Sequence, residues 1–194
     1  MGVLLTLEPK LVEFSIEERD AWRAGERSDC IDPYCAGTAG GRGSTTGFGE
    51  YMVGKYWQRQ GYRWVHHDFD IFGGNIDHKY PSQAILENAL GGRLAQFKTL
   101  VNSLRPFQDG GHAPVEQADL LIYKPGTTEI RFAECKRADT HDKVNGRQAL
   151  GLFLIASQLQ VPVDVFLVAE KGTRTEPLEP IRFVYGEHGV RIAG

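Results

Sequence analysis

Two strand-like stretches on either side of a tight turn constrain the fold of this chain more than any other feature. The turn is Lys124–Thr128, which contains adjacent proline and glycine residues. A hairpin centred on Gly126 and Thr127 fixes which residues lie opposite each other. The predicted pairs are Asp119 with Glu134, Leu121 with Phe132, and Tyr123 with Ile130. Side chains directly opposite in an antiparallel pair lie about 5 Å apart on one face.

The predicted hairpin ends in three charged side chains on one face. Because side chains alternate along a strand, Lys136 shares the face of Glu134, and Asp119 lies across from it. Two carboxylates at this separation repel each other, so a fold that retains them usually has a compensating cation. The pattern indicates a metal site. The alternative is a surface strand in which Glu134 pairs with a neighbouring arginine.

These three residue types suit phosphodiester hydrolysis. A hard cation such as Mg²⁺ binds carboxylate oxygens and keeps several waters, and one of those waters becomes acidic enough to attack a phosphodiester. A lysine beside it can orient the nucleophile or offset the charge that builds on the phosphate.

The bulk composition is that of a globular protein and narrows the function classes. The 194 residues suffice for one domain with a full core, and the net charge of −3 argues against a histone-like electrostatic binder. No apolar run approaches the roughly 18 residues of a membrane span. Three cysteines without framework spacing indicate a reducing compartment, so we expect a cytoplasmic protein. A zinc site formed by Cys30, Cys35, His66 and His67 is an alternative use of these cysteines.

The order of predicted elements indicates an α/β fold with a mixed central sheet. Ser15 and Glu18 form a capping box that begins an N-terminal helix. The later elements are a helix over 48–60, a strand over 62–69, helical spacing over 82–104 split or bent at Gly91-Gly92, the hairpin over 118–136, a helix over 144–159, a strand over 163–169, and a final hairpin of 181–185 with 190–192. A helix between two strands forms a right-handed crossover, which makes those strands parallel.

We therefore expect a single domain over residues 1–194 with its core at about 46–170. Residues 1–45 are an N-terminal extension that includes a Gly-rich loop, and 70–114 are a helical insertion.

The helix predicted over 144–159 begins its apolar stripe with an amide. Gln148 heads a stripe that continues with Leu152, Ile155 and Leu159. The amide is therefore placed to hydrogen-bond a catalytic water, a phosphate or the lysine. The alternative is a cap-region glutamine that satisfies backbone groups.

The helix predicted over 48–60 begins its stripe with a carboxylate. Glu50 shares a face with Val53, Gly54 and Trp57. A carboxylate on a core-facing stripe is paired, caps the helix or binds a metal. Favourable interaction with the helix macrodipole is an equally good structural explanation.

Together, Glu50, Asp119, Glu134-Cys135-Lys136 and Gln148 resemble the PD-(D/E)XK nuclease superfamily, and most of all its VRR-NUC and Holliday-junction-resolvase-like members. The resemblance covers about residues 46–170 and implies a restriction-endonuclease-like α-β-β-β-α-β core. It implies that Asp119, Glu134 and the backbone carbonyl of Cys135 bind Mg²⁺ or Mn²⁺, with Glu50 assisting. It also implies that Lys136 positions the attacking water and that Gln148 is an accessory catalytic residue.

The chain departs from the family pattern at the first motif. Ala118 precedes Asp119, and Pro114 lies five positions upstream of it. Glu116 is the alternative acidic residue for that motif.

The expected function is metal-dependent hydrolysis of DNA phosphodiester bonds. Basic residues near the motif are candidates for phosphate contacts: Arg131, Arg137, Lys143 and Arg147. The expected partner is DNA, without a membrane, and homodimerisation is compatible with the family. The alternative is a non-catalytic module that binds nucleic acid or protein on the same fold.

Overall fold

A five-stranded mixed sheet forms the centre of the computed structural model, which describes residues 3–26, 45–66, 68–73, 82–104, 115–140, 142–173, 179–186 and 189–193. The strands of this sheet are β2 (Lys10–Phe14), β3 (Arg63–His66), β4 (Leu120–Tyr123), β5 (Ile130–Arg137) and β6 (Val163–Glu170). Their spatial order is β2-β6-β5-β4-β3. Strand β6 is parallel to both β5 and β2, whereas β3, β4 and β5 are antiparallel neighbours. The predicted mixed α/β architecture is therefore confirmed.

The register of the central hairpin agrees with the sequence-based prediction. Leu121 pairs with Phe132 and Tyr123 pairs with Ile130, which leaves Lys124 to close the turn by donating its N–H to Glu129. The agreement follows from local chemistry, because the turn residues alone fix which residues face each other.

Helices cover both faces of the central sheet. Helices α1 (Ile16–Ala24) and α2 (Phe48–Gln58) pack on one face, in a core that includes Trp22, Phe48 and Phe166. Helix α2 approaches β3 closely at Gly54, where a Cβ atom would lie 2.2 Å from the Trp64 ring. Any larger residue at Gly54 would separate the helix from the sheet.

The opposite face is covered by three more helices and a smaller sheet. Helices α3 (Gln83–Leu90) and α4 (Gly92–Leu104) meet at Gly91, as the glycine pair predicted. Helix α5 (Gly146–Leu154) continues into a single π-helical turn over Ile155–Leu159. None of the described helices is long and apolar enough to cross a membrane.

The N-terminal region contributes two strands that were not predicted. The capping box of Ser15 and Glu18 begins α1 as expected. Upstream of it, β1 (Val3–Leu7) joins a second sheet and β2 joins the central one. The central sheet thus extends beyond the predicted 46–170 core. The predicted Gly-rich loop and the two cysteines within it, Cys30 and Cys35, lie mostly or wholly outside the described residues.

The second sheet carries the predicted C-terminal hairpin. Strands β7 (Ile181–Gly186) and β8 (Gly189–Ile192) are antiparallel, and β1 pairs with the other side of β7. This sheet packs against α5, where Phe153 meets Phe183.

Candidate functional site

Asp119 lies just before β4 and is tied to β5 by a backbone hydrogen bond. Its Oδ2 accepts the N–H of Cys135 at 2.8 Å, which brings the carboxylate beside Glu134. Burial raises the pKa of Asp119 well above its usual range, and the charges of Glu134 and Glu50 act in the same direction. The Cys135 N–H offsets part of this effect.

Glu134 is fully buried and forms an ion pair with Lys136. Lys136 Nζ lies 2.7 Å from Glu134 Oε1 and 3.4 Å from Asp142 Oδ2. Burial raises the pKa of Glu134 to about 7, although the lysine lowers it. Glu134 Oε2 has no hydrogen-bond partner among the described residues. Burial lowers the pKa of Lys136, but its ion pair with Glu134 outweighs burial and the net shift is upward.

Glu50 lies in the first turn of α2, near the two buried carboxylates. Burial is the main cause of the raised pKa values of Asp119 and of the Cys135 thiol. The charge of Glu50 raises both pKa values further. Glu50 Oε1 is 3.6 Å from Nε2 of His66, a buried residue on β3. A position of His66 beside Glu50 was not predicted. The signal was its place on the buried face of an edge strand, two residues after Trp64.

Gln148 uses its side-chain oxygen to cap α5. Its Oε1 accepts the backbone N–H of Asn145, while Asn145 Oδ1 accepts the backbone N–H groups of Arg147 and Gln148. This reciprocal capping box matches the structural alternative for Gln148. Capping therefore explains why a glutamine occupies this position. A catalytic role for its amide nitrogen stays a prediction.

The candidate phosphate-binding residues differ in how free they are. Arg137 is engaged within the fold, because it pairs with Asp139 at 2.5 Å and donates to the Thr45 carbonyl at 3.0 Å. Arg147 forms an ion pair with Glu116. Lys143 is exposed and forms no ion pair with the described residues. Of the three, Lys143 is therefore the most available for a phosphate.

Arg131 lies at the other end of β5 and does not flank the site. Its guanidinium stacks 4.1 Å from the centre of the Trp57 ring and lies 3.3 Å from Asp164 Oδ2. The prediction that it flanks the site is wrong, because it lies near the turn end of β5, where Trp57 and Asp164 engage it.

Two further acidic residues surround the buried pair. Asp142 shares the ammonium of Lys136, and its charge raises the pKa of Glu134. Glu116 also raises that pKa, and its Oε2 accepts a hydrogen bond from Asn145 Nδ2 at 3.1 Å. Asp142 was not predicted, because its position depends on how the loop before α5 folds back. Glu116 stays near the site as the predicted alternative to Asp119.

The donor set fits a hard divalent cation held by few protein ligands. No group of three or more His, Cys, Asp or Glu residues with metal-binding geometry occurs in the described part of the chain. Mg²⁺ needs only one or two carboxylates and retains water as its other ligands. Asp119 and Glu134 can supply those carboxylates, because Glu134 Oε2 is buried without a hydrogen-bond partner among the described residues. The backbone carbonyl of Cys135 and the Glu50 carboxylate are the additional candidates.

The comparisons do not assign a family. No protein-family model, no curated protein and no solved structure matches this chain. The resemblance to the PD-(D/E)XK superfamily therefore remains a prediction from the residues.

Proposed function

We propose that this protein is a divalent-metal-dependent nuclease that hydrolyses DNA phosphodiester bonds. The observation that carries the proposal is the convergence of Asp119 and Glu134, two buried carboxylates with raised pKa values, beside the ammonium of Lys136. Two carboxylates that can bind a cation, with a lysine ammonium beside them, are groups that suit such hydrolysis.

The electrostatics support a cation at this place. Lys136 compensates Glu134 only in part, since the pKa of Glu134 still rises to about 7. Burial and the charges of Glu134 and Glu50 raise the pKa of Asp119, whereas among the described residues the Cys135 N–H and the charge of Lys136 lower it. A second cation near both groups would lower both pKa values and relieve the repulsion.

Each residue has a distinct part in the proposed reaction. Asp119 and Glu134 would hold Mg²⁺ or Mn²⁺, with Glu50 and the Cys135 carbonyl as further ligands. The bound cation supplies a water of lowered pKa and neutralises charge on the phosphate. Lys136 orients the attacking water or offsets the charge that develops on the phosphate. Asp142 is a second ion-pair partner of the Lys136 ammonium, at 3.4 Å.

Incubation with linear, circular, flap and four-way DNA, in Mg²⁺, Mn²⁺ or EDTA, tests the proposal. We expect metal-dependent cleavage that Glu134→Gln and Lys136→Met each reduce by about 100-fold. Glu129→Gln and Lys98→Met are matched controls. Glu129 directly follows the hairpin turn and accepts a hydrogen bond from the Tyr62 hydroxyl, and Lys98, on α4, pairs with Asp70, so neither touches the site.

Three outcomes would contradict the proposal. Cleavage that persists in EDTA would show that the reaction needs no metal. Full activity of both site variants would show that the reaction does not depend on Glu134 or Lys136. Tight DNA binding without cleavage of any substrate supports the non-catalytic alternative.

A further inference from the structure

A cavity of about 470 Å³ opens beside Lys136, and neither Asp119 nor Glu134 is among its lining residues. It lies between the central sheet and the second sheet, and Lys136 belongs both to its wall and to the ion pair with Glu134. Its volume falls within the range of about 300–1,000 Å³ that is usual for small-molecule sites. The apolar lining comes from Pro9, Val144, Val165, Leu167, Ile181 and Ile192.

We propose that this cavity receives the base of an unpaired nucleotide next to the phosphate that is cleaved, so that the substrate is DNA with unpaired bases. This inference rests on the proposed function, because the position of the phosphate follows from Asp119, Glu134 and Lys136.

The apolar lining of the cavity favours the base over the phosphate. The walls are mostly aliphatic, and the charged lining residues are of both signs: Lys136, Arg137 and Lys143 beside Asp142 and Glu179. An anionic phosphate against the aliphatic walls would lose hydration, whereas an uncharged base would lose little. Lys143 also borders the cavity and is exposed, so it can contact the backbone phosphate while the base enters.

A paired base cannot reach such a cavity. Enzymes that read a base in a pocket act on single strands or turn the nucleotide out of the helix, which is least costly when the base is already unpaired. A cavity beside the reacting group therefore favours single strands, bulges and flaps over a fully paired duplex.

The cavity also predicts how a bound base would behave. Phe166 borders it, but that side chain is fully buried and its ring packs against Tyr56 and Trp57 on the other face of the sheet. The described lining residues therefore offer no ring for stacking. A base in the cavity leaves its neighbours in the strand and gains no new stacking partner.

Fluorescence of 2-aminopurine tests this directly, because stacking quenches this adenine analogue. The probe is a DNA duplex with 2-aminopurine as a single-base bulge, mixed with the protein in EDTA so that no cleavage occurs. We expect a several-fold rise in fluorescence. The same analogue in a fully paired duplex should show little change.

Variants that fill the cavity should abolish the rise. Val144→Phe and Ile192→Trp each add bulk to the lining, and Val144 lies in a half-buried loop that can accept it. Leu4→Trp is the matched control, because Leu4 is an exposed residue of the same second sheet. Circular dichroism identifies a variant that fails to fold, and the other then decides the result.

The outcomes separate the cavity from the proposed function. DNA binding by anisotropy without a fluorescence rise, or a rise that both folded cavity variants retain, overturns the inference even if DNA is cleaved. In Mg²⁺ we expect bulged and single-stranded DNA to be cut several-fold faster than the paired duplex, and equal rates overturn the inference as well. Absence of metal-dependent cleavage on every substrate overturns the proposed function and, with it, the assignment of the cavity to a substrate.

Discussion

Lys136 Nζ lies 2.7 Å from Glu134 Oε1, although the two residues belong to one strand and Glu134 has no exposed surface. Strand alternation places residues i and i+2 on the same face, so the pair forms without help from another element. The pKa of Glu134 nevertheless rises to about 7, because burial outweighs the single cation. Burial and the Lys136 ion pair therefore act on the pKa of Glu134 in opposite directions, and burial is the larger effect.

Replacement of Lys136 by methionine should destabilise the protein strongly at pH 8 and less at pH 5. Loss of one partner of a buried ion pair costs about 3–5 kcal/mol, and at pH 5 protonated Glu134 needs no cation. Urea unfolding at both pH values measures this. Lys98→Met breaks the more exposed ion pair between Lys98 and Asp70. Its loss of folding free energy should therefore be smaller and should depend less on pH. Equal losses at pH 5 and pH 8 would contradict the buried charge.

Glu134 should make the metal-free protein less stable as the pH rises from about 4.5 to about 7. Within this window the folded state holds a proton that the unfolded state has released, because the folded pKa exceeds the ordinary value of 4.5. The full effect is about 3 kcal/mol. Urea midpoints in EDTA across this range should fall more steeply for the wild type than for Glu134→Gln. Identical slopes for the two proteins would show that Glu134 titrates normally.

Mn²⁺ should stabilise the folded protein and release protons when it binds. At 100 times its dissociation constant, a ligand of the folded state adds about 2.7 kcal/mol, and displacement of the proton from Glu134 makes binding tighter as the pH rises. Calorimetric titration at pH 6.5 in two buffers of different ionisation enthalpy counts the protons. Glu134→Gln should lose the binding and Glu129→Gln should keep it. An unfolding midpoint that Mn²⁺ leaves unchanged would count against a metal site.

The predictable parts of the fold are those that local chemistry determines. The Pro-Gly turn fixed the register of Leu121 and Phe132, and Gly91 ended α3 where expected. Strand β2 was missed because its partner, β6, lies about 150 residues away in sequence. Its alternating pattern, with Val12 and Phe14 buried on either side of exposed Glu13, is typical of a strand and could have predicted it.

Within the site, the sequence indicates which residues meet but not what else surrounds them. Asp119 and Glu134 converge because the hairpin register places them together. The neighbourhood of His66 and Glu50 depends on how α2 packs on β3, and the place of Asp142 depends on a loop. Arg137 was expected to be free for phosphates, yet Asp139 and the Thr45 carbonyl engage it. Such tertiary contacts have no local periodicity from which they could be read.

Gln148→Glu should separate the capping role of this residue from a catalytic one. Glutamate at the third helical position completes a capping box as glutamine does, so stability should be retained, whereas Gln148→Ala should lose about 1 kcal/mol. Thermal unfolding and DNA cleavage are measured on both variants. If the cap is the whole role, Gln148→Glu keeps its activity. A large loss of cleavage in a stable Gln148→Glu variant would instead assign the amide to the reaction.

Gly151→Ala should damage the site through the backbone that leads to Asp119. A Cβ atom at residue 151 would lie 2.1 Å from the carbonyl oxygen of Glu116, which must then move together with its loop. Overpacking of this kind costs about 1–3 kcal/mol. The displacement should also weaken the hydrogen bond from the Cys135 N–H to Asp119, three residues downstream of Glu116.

Gly146→Ala is the control for this change within the same helix. A Cβ atom at residue 146 meets nothing within 4 Å, so alanine there should leave stability unchanged or raise it by about 0.4–1 kcal/mol. Urea unfolding, Mn²⁺ titration and cleavage are compared for the two variants. Gly151→Ala should lose Mn²⁺ affinity and activity beyond its loss of stability, since Asp119 moves away from Glu134. Equal behaviour of the two alanine variants would show that α5 does not position Asp119.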